Sequence, residues 1–370
     1  MDFTFTEEQE TVGKVARQLF EARATPEHLT DLETGDVRYD AALWGELASA
    51  DLLGIALPES VGGSGAGFLE LGVLLSEVGF NVAPVPVYAT LVLGADTIAR
   101  HGDSALQRQY LPGVADGSTL LTAALTEAGN SNPKAPRTTA RADGDVWRLD
   151  GTKDLVPAAQ LAAAVVVSAQ AEDGPGLFVV DTAAGGVTIA PVATTNGEPH
   201  ADVTLTGAVG RRLTEHVGAD IMGSVHSRAL VGLCAVQVGV VERALKLAAS
   251  YTSTREQFGR PIGSFQAVQQ RLADAFIDVE AIRWTTWHAA WLIGEGRPAN
   301  REAAIAKFWA AEAGARVAAS AQQVHGGMGI DVTYPLSRYF LWAKQNELAL
   351  GSASAQLARL GNTYAEGSDK

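Results

Sequence analysis

A single cysteine, Cys234, stands among 370 residues, so the chain forms no internal disulfide and no multi-cysteine metal site. A reducing compartment agrees with that scarcity. Charged residues make up only 19%, below the ~25% of an ordinary domain. Basic residues are the scarcer kind: 28 against 42 acidic residues give a formal net charge of −14. That is the wrong sign for holding nucleic acid by neutralising phosphates. No uninterrupted apolar run approaches the ~18 residues of a membrane span; the best stretch, 229–241, is short and holds Gln237. The opening MDFTFTEEQE is acidic where a secretory leader is basic. Internal repeats and low-complexity tracts are missing too. The expectation is a cytoplasmic protein that binds neither nucleic acid nor membrane and carries no metal.

Hydrophobic residues, in contrast, reach 47% with aromatics at only 7%, a composition suited to closely packed helices around a large core. The first third reads as helix. Thr6 with Gln9 makes a capping box, apolar residues follow at helical spacing, and further helices are expected over 41–53, 68–78 and 90–101. Near Gly117 the character changes to short Thr- and Val-rich runs separated by turns, with a hairpin expected at Asp143-Gly144. Helical periodicity then returns. The stretch 221–251 is apolar on nearly every face. A second stretch, 265–291, repeats Val268, Leu272, Phe276 and Val279. A third is expected from an Asn300 N-cap to Val324, closed by Gly326-Gly327, and a last one over 339–360. The tail EGSDK reads as frayed. The predicted class is α+β, mostly α: a helical domain (1–117), a middle β domain (118–215) and a C-terminal four-helix bundle (216–370).

Two short segments carry chemistry. In TREQFGRPIGSFQAVQQRLAD (254–274), Arg255 stands where a long helix breaks, beside Phe258-Gly259. A guanidinium there clamps a phosphate with two hydrogen bonds while Phe258 offers a flat face to a heterocycle; the alternative is an interhelical turn with a solvated arginine and a core phenylalanine. In QQVHGGMGI (322–330), paired glycines admit a close ligand to backbone N–H groups, or simply cap a helix. His325 suits packing or capping better than base chemistry.

Together these segments resemble the acyl-CoA dehydrogenase family. LGIALPESVGG (53–63), LTEAGNS (125–131), LDGTK (149–153), the 255–274 segment, HGGMG and the final helix spread the resemblance over nearly the whole chain. The resemblance implies FAD, an acyl-CoA substrate, and oxidation of a Cα–Cβ bond to an enoyl thioester. It implies oligomers with the flavin between subunits and an electron-transfer-flavoprotein-type acceptor. Arg255, Gln257, Phe258, Gln266, Gln323, Gly326 and Gly327 are then expected at the adenine-diphosphate end of a flavin held mainly by a neighbouring chain.

The departures are as informative. The family reaction removes an α-proton and so requires a desolvated carboxylate base. One family position for it precedes a Gly-Thr/Ser pair and is Leu350 here; the other precedes the arginine matched by Arg228 and is Ser227. Neither takes a proton at working pH. Glu347 and Glu242 are the nearest carboxylates: Glu347 is either a displaced base or a surface carboxylate, and Glu242 is too far along its helix. Where the family reads Thr-Glu-Pro, two residues, then Gly-Ser-Asp, this chain keeps Thr126 and Glu127 but continues Ala128 and ends Ser131-Asn132-Pro133. The family's Trp-Ile-Ser/Thr beside the flavin is Leu155-Val156-Pro157, and proline supplies neither hydroxyl nor N–H. Lys134, Arg137, Arg211 and Arg212 are candidates for a local patch toward CoA. Base and flavin-ring elements are degraded while adenine-end elements persist. That pattern resembles non-catalytic subunits of heterotetrameric (α2β2) dehydrogenases of bacterial steroid side-chain degradation, as do PEHLTDLE and LWAKQNELALGSASAQL. No catalytic residue is expected in this chain. The alternatives are a self-sufficient homo-oligomer using Glu347, and a non-enzymatic scaffold.

Overall fold

The computed structural model describes residues 4–35, 37–130, 132, 134–214 and 218–365. The EGSDK tail, Ser131 and Pro133 lie outside the described residues. The chain opens with helices α1 (Glu7–Arg23), α2 (Pro26–Glu33), α3 (Ala41–Ser49) and α4 (Phe68–Asn81). Thr6 caps α1 as its sequence predicts: its Oγ1 accepts from Gln9 N at 3.3 Å while Gln9 Oε1 accepts from Thr6 N at 3.0 Å. Helix α3 stops short of residue 53 because Asp51 adopts a left-handed φ of 57°. The run expected as helix over 90–101 divides into a π-helix, Tyr88–Ala95, and a short α5 (Asp96–His101), followed by α6 (Ser104–Ala115).

Seven strands come next: β1 (Leu121–Ala124), β2 (Thr139–Asp143), β3 (Val146–Pro157), β4 (Ala164–Ala171), β5 (Gly174–Asp181), β6 (Val187–Val192) and β7 (His200–Arg212). Their order is β1-β4-β2-β3-β7-β5, with β6 on β7, and β4 also pairs with β5. Five of them therefore close on themselves around Leu149, Val167, Phe178 and Val203. The β2–β3 hairpin lies one residue beyond its expected place. Asp143 pairs with Val146, so Gly144-Asp145 is the loop, with the positive φ of 62° at Gly144. An irregularity in β3 between Lys153 and Val156 puts Leu155 at φ 50° and presents its side chain to solvent.

The bundle consists of α7 (Ala219–Thr254), α8 (Gln266–Gly294), α9 (Asn300–His325), α10 (Leu336–Leu348) and α11 (Ala353–Ala365). The continuous helix expected over 339–360 is broken, since Leu350 and Gly351 take positive φ of 56° and 98°. Asn300 is the first residue of α9 rather than its cap; Ala299 takes that place and makes no side-chain cap bond. The apolar stripe of α8 splits as well: Val279 is buried, but Phe276 is 58% exposed, and the adjacent Ile277 and, about two turns on, Trp284 are exposed too. Helices α4 and α7 touch backbone to backbone. A Cβ on Gly79 would fall 1.9 Å from Val236 O, and one on Gly239 equally close to Ser76 O. This contact welds the N-terminal helices to the bundle in one core.

Candidate functional site

The weld sets the floor of a cleft of about 1240 Å³ between α4, the π-helix, the β domain and the bundle. Leu350 and Ser227 both line it, so the two positions expected from the sequence to flank a substrate share one cavity although 123 residues separate them in the numbering. Lys307, fully buried, fixes the Leu350 side. Its Nζ donates to the carbonyls of Asn346 (2.9 Å) and Glu347 (3.0 Å) at the end of α10. Burial pushes this amine down to about 8. On the opposite wall Ser227 Oγ lies 2.6 Å from Asn300 Oδ1 and 2.9 Å from the Gly223 carbonyl. Its one hydrogen is committed between these acceptors, and no base stands beside it. Arg228 turns away from the cleft into a buried pair with Asp96 at 3.2 Å.

The carboxylates in the wall are Glu127, Asp154 and Glu198. Glu127 is exhausted by its partners: it accepts from Lys153 Nζ (2.7 Å), Arg137 N (2.7 Å), Thr138 N (2.9 Å), Thr138 Oγ1 (2.8 Å) and Asn130 Nδ2 (3.0 Å). Burial alone would raise its pKa, but Lys153 and these donors outweigh it and hold the group well below the usual carboxylate range. Glu198 accepts from Asn196 Nδ2 at 2.5 Å. Asp154, near the end of β3 and two residues before Val156, lines the cleft, and its Oδ2 is buried without a protein partner. Glu347 is not in the wall; it is half-buried and paired with Lys344 at 2.5 Å. Glu242 pairs with Arg283 and Lys246 on another face. Of the basic candidates only Lys134 lines the cleft. Arg212 pairs with Asp173, Arg211 with Asp103, and Arg137 donates to the carbonyls of Ala128 and Gly129.

One cleft residue was not singled out from the sequence. His226 is 7% exposed, and neither ring nitrogen has a protein partner. Burial, with Arg359, Lys134 and Lys307 adding positive charge, depresses its pKa from 6.5 to about 3. Because the folded pKa is the lower one, its contribution to stability is full above about pH 6.5 and is lost as pH falls toward 3. Urea unfolding at pH 7 and pH 5.5 should show His226→Phe losing less stability than the unchanged chain, by on the order of 1 kcal/mol. Equal losses would contradict the buried neutral imidazole. His101 and His325, also depressed by burial, leave a residual slope of the same sign.

The other sequence signals gather at the far end of the bundle. Arg255 ends α7, and its N–H donates to the Tyr251 carbonyl at 2.8 Å. Tyr251 stacks on His325 with ring centroids 4.4 Å apart, which brings the end of α7 against the end of α9. His325 is a packing residue: Nδ1 lies 2.7 Å from the Ala321 carbonyl and Nε2 3.2 Å from Tyr334 Oη. Gly326 closes α9 at φ 57°, and a Cβ on Gly326 or Gly327 would meet nothing within 4 Å. The Arg255 turn is a two-residue ladder, Glu256–Gln257 against Arg260–Pro261, with Phe258 and Gly259 at its tip. Phe258 is 91% exposed, not a core residue. Arg255, Gln257, Gln266, Gln323, Gly326 and Gly327 are exposed as well. At 1.5 Å per residue, roughly 42 Å of α7 separates Ser227 from Arg255. That is farther than an extended dinucleotide reaches.

Among the described residues no cluster of three His, Cys, Asp or Glu is arranged to hold a metal, and no helix is long and apolar enough to cross a membrane. Three family models match the chain in order: "Acyl-CoA dehydrogenase, N-terminal domain" over 6–118, "middle domain" over 122–207 and "C-terminal domain" over 221–364. Acyl-CoA dehydrogenase FadE27 of Mycobacterium tuberculosis is 40% identical over 375 residues, covering 99% of both chains. Among solved structures, a variant of the Tcur3481-Tcur3483 steroid ACAD is 47% identical with a TM-score of 0.94, over 98% of this chain and 99% of that one. The ChsE4-ChsE5 complex from Mycobacterium tuberculosis is 41% identical, also at 0.94, over 99% of both.

Proposed function

This chain belongs to the acyl-CoA dehydrogenase family, an oxidoreductase family, and from that premise we propose that it is the non-catalytic half of a heteromeric member. In this reading it completes the adenine-diphosphate side of an FAD site whose ring end and catalytic glutamate come from a homologous chain, in an α2β2 assembly. When bound, FAD supplies the hydride acceptor for α,β-dehydrogenation of an acyl-CoA. This chain's own part is to hold the cofactor's charged end.

The observation that carries the proposal is the separation within one helix. The anion-receptive group of Arg255, Gln257, Phe258, Gln266, Gln323, Gly326 and Gly327 lies about 28 Å along α7 beyond Val236, the nearest cleft residue of that helix, and about 42 Å beyond Ser227, which suits a cofactor held by another molecule. The donor set there fits a pyrophosphate: an exposed guanidinium, amides, and glycines with open space above them. The cleft end does not fit an isoalloxazine in the family manner. Pro157 offers neither hydroxyl nor N–H where the resemblance expects a serine or threonine, Leu155 stands exposed where it expects a tryptophan, and Ser227 and Leu350 accept no proton. The ChsE4-ChsE5 structure is of a complex and the Tcur3481-Tcur3483 enzyme is described as a steroid ACAD. The first supports a hetero-oligomer and the second a steroid-derived acyl-CoA substrate; an electron-transfer-flavoprotein-type acceptor and a cytoplasmic location are further parts of the proposal. The division into 1–117, 118–215 and 216–370 belongs to the same reading.

The rival is a self-sufficient enzyme with Glu347 as base, and one substitution separates the two. In the assembled complex Glu347→Gln should leave turnover of the acyl-CoA within twofold of the unchanged complex, since that carboxylate is paired with Lys344 outside the cleft. Loss of turnover by a hundredfold or more, measured by dye reduction, would restore Glu347 as the base.

A further inference from the structure

The elbow between α10 and α11 is built around a buried charge. Lys307 of α9 is fully buried, with buried alanines at 303, 304, 310 and 311 on the adjoining turns of its own helix. Its ammonium donates to main-chain carbonyls, those of Asn346 and Glu347 in the last turn of α10. The groups around it supply no counter-charge. The Glu347 carboxylate is taken by Lys344 at 2.5 Å. From α7, Cys234 stays a neutral thiol, pushed up to about 12 by burial, and His226 stays a neutral imidazole. The single charged side chain of α11 is the cationic Arg359. Among the described residues no carboxylate pairs with Lys307. Two neutral oxygens and the negative end of a helix tolerate a dry cation but do not favour it, and burial pulls this amine from 10.5 down to about 8.

The chain turns immediately after. Leu350 and Gly351 hold positive φ of 56° and 98°, and a left-handed leucine is a strained joint. Gln356 of α11 donates to the carbonyls of both, at 3.1 and 3.2 Å, while its own Oε1 is buried without a partner. Helix α11 rests mainly on α9. Leu350, Gly351, Ala355 and Leu360 line the cleft, so movement at this joint reshapes the cleft wall.

We propose that the α10–α11 elbow is a proton-linked hinge on the cleft: closed with Lys307 dry against the last turn of α10, open with the ammonium in water. The closed state binds the proton less tightly than the open one, so opening takes up a proton. Opening is rarest above about pH 10.5, grows as pH falls, and levels off below about pH 8. The hinge needs neither flavin nor a partner chain, so its failure would leave the half-site reading standing.

Hydrogen exchange of the full chain, read by mass spectrometry at pH 7 and pH 9 and divided by the intrinsic rates at each pH, tests it. The reporting amides are Ala349, Gly351 and Gln356, which donate to the carbonyls of Gln345, Leu348 and Ser352. Their opening should be about tenfold more frequent at pH 7 than at pH 9, while the peptide 229–241 inside α7 stays unchanged. Lys307→Met removes the titrating group and Lys307→Arg keeps its charge at both pH values, so each should bring the ratio within about twofold of one. Gln356→Leu should loosen the elbow at both pH values yet keep the tenfold ratio, which gives a reading even if the Lys307 variants fail to fold. Equal opening at the two pH values overturns the proposal. So does a tenfold ratio surviving in either Lys307 variant, a ratio lost in Gln356→Leu, or a change of equal size in 229–241, which would assign the titration to the whole bundle.

Discussion

Arg255→Ala, made in this chain and assembled with a catalytic homologue, is expected to weaken FAD binding by the complex about 10- to 100-fold. That is the worth of one or two charge-assisted hydrogen bonds to a phosphate. The substitution should cost the chain itself little, because Arg255 is exposed and its helix-ending bond is made by the backbone N–H, not the guanidinium. Flavin absorbance after gel filtration and the unfolding midpoint therefore separate in this variant: the first collapses and the second stays. Phe258→Ala should weaken flavin retention less, because an exposed stacking face contributes less than a paired charge. Arg260 supplies the control. Its guanidinium sits 4.1 Å from the Phe265 ring centroid, already engaged within its own turn, so Arg260→Ala should keep the cofactor. If Arg255→Ala retained its flavin in full, the turn would be an ordinary connection between helices, as its exposure alone would allow.

The second large effect concerns stability rather than the cofactor. Lys153→Met should destabilise the chain by about 3–5 kcal/mol, the cost of breaking a buried ion pair from one side. Lys153 is fully buried, and its ammonium reaches Glu127 at 2.7 Å and Ser168 Oγ at 2.9 Å. Removing it leaves the Glu127 carboxylate enclosed with only neutral donors. Adding Glu127→Gln to Lys153→Met should recover part of the loss, because the amide carries no charge to bury. Urea unfolding followed by circular dichroism checks both. A loss under 1 kcal/mol in the single variant would mean that Glu127 is not the pinned structural group its five bonds suggest. The prediction bears on function, since a carboxylate held this firmly in its ionised, fully bonded form is not available as a base.

Much of this was legible in the sequence where local rules agree. The Thr6 capping box, the turn of the β2–β3 hairpin to within one residue, and the glycine closing α9 all follow from short-range chemistry that tertiary packing leaves alone. The misplacements share a different cause. Asn300 has the residue type of a cap, but its side-chain oxygen is drawn to Ser227, 73 residues earlier, and no local rule foresees that. The break between α10 and α11 rests on Leu350 in a left-handed conformation, although Gly351-Ser352 after it was the available signal. Phe276 keeps helical spacing with buried neighbours, yet periodicity does not say which face of α8 lies outward. The π-helix has no periodicity of its own to read. His226 was hidden because an apolar helix reads as uniform core, and only the absence of partners around its ring distinguishes it. The candidate site was half visible: both missing-base positions were named from the sequence, but their convergence on one cavity, and the length of helix between that cavity and Arg255, required the fold.

That length of helix leads to the most direct measurement: the flavin content and acyl-CoA oxidation of this chain purified alone, beside its complex with a homologous catalytic chain. The account predicts no stoichiometric FAD and no turnover for the chain alone, and one FAD per pair of chains with turnover in the complex. A yellow, active preparation of the single chain, with one FAD for every polypeptide, would contradict it.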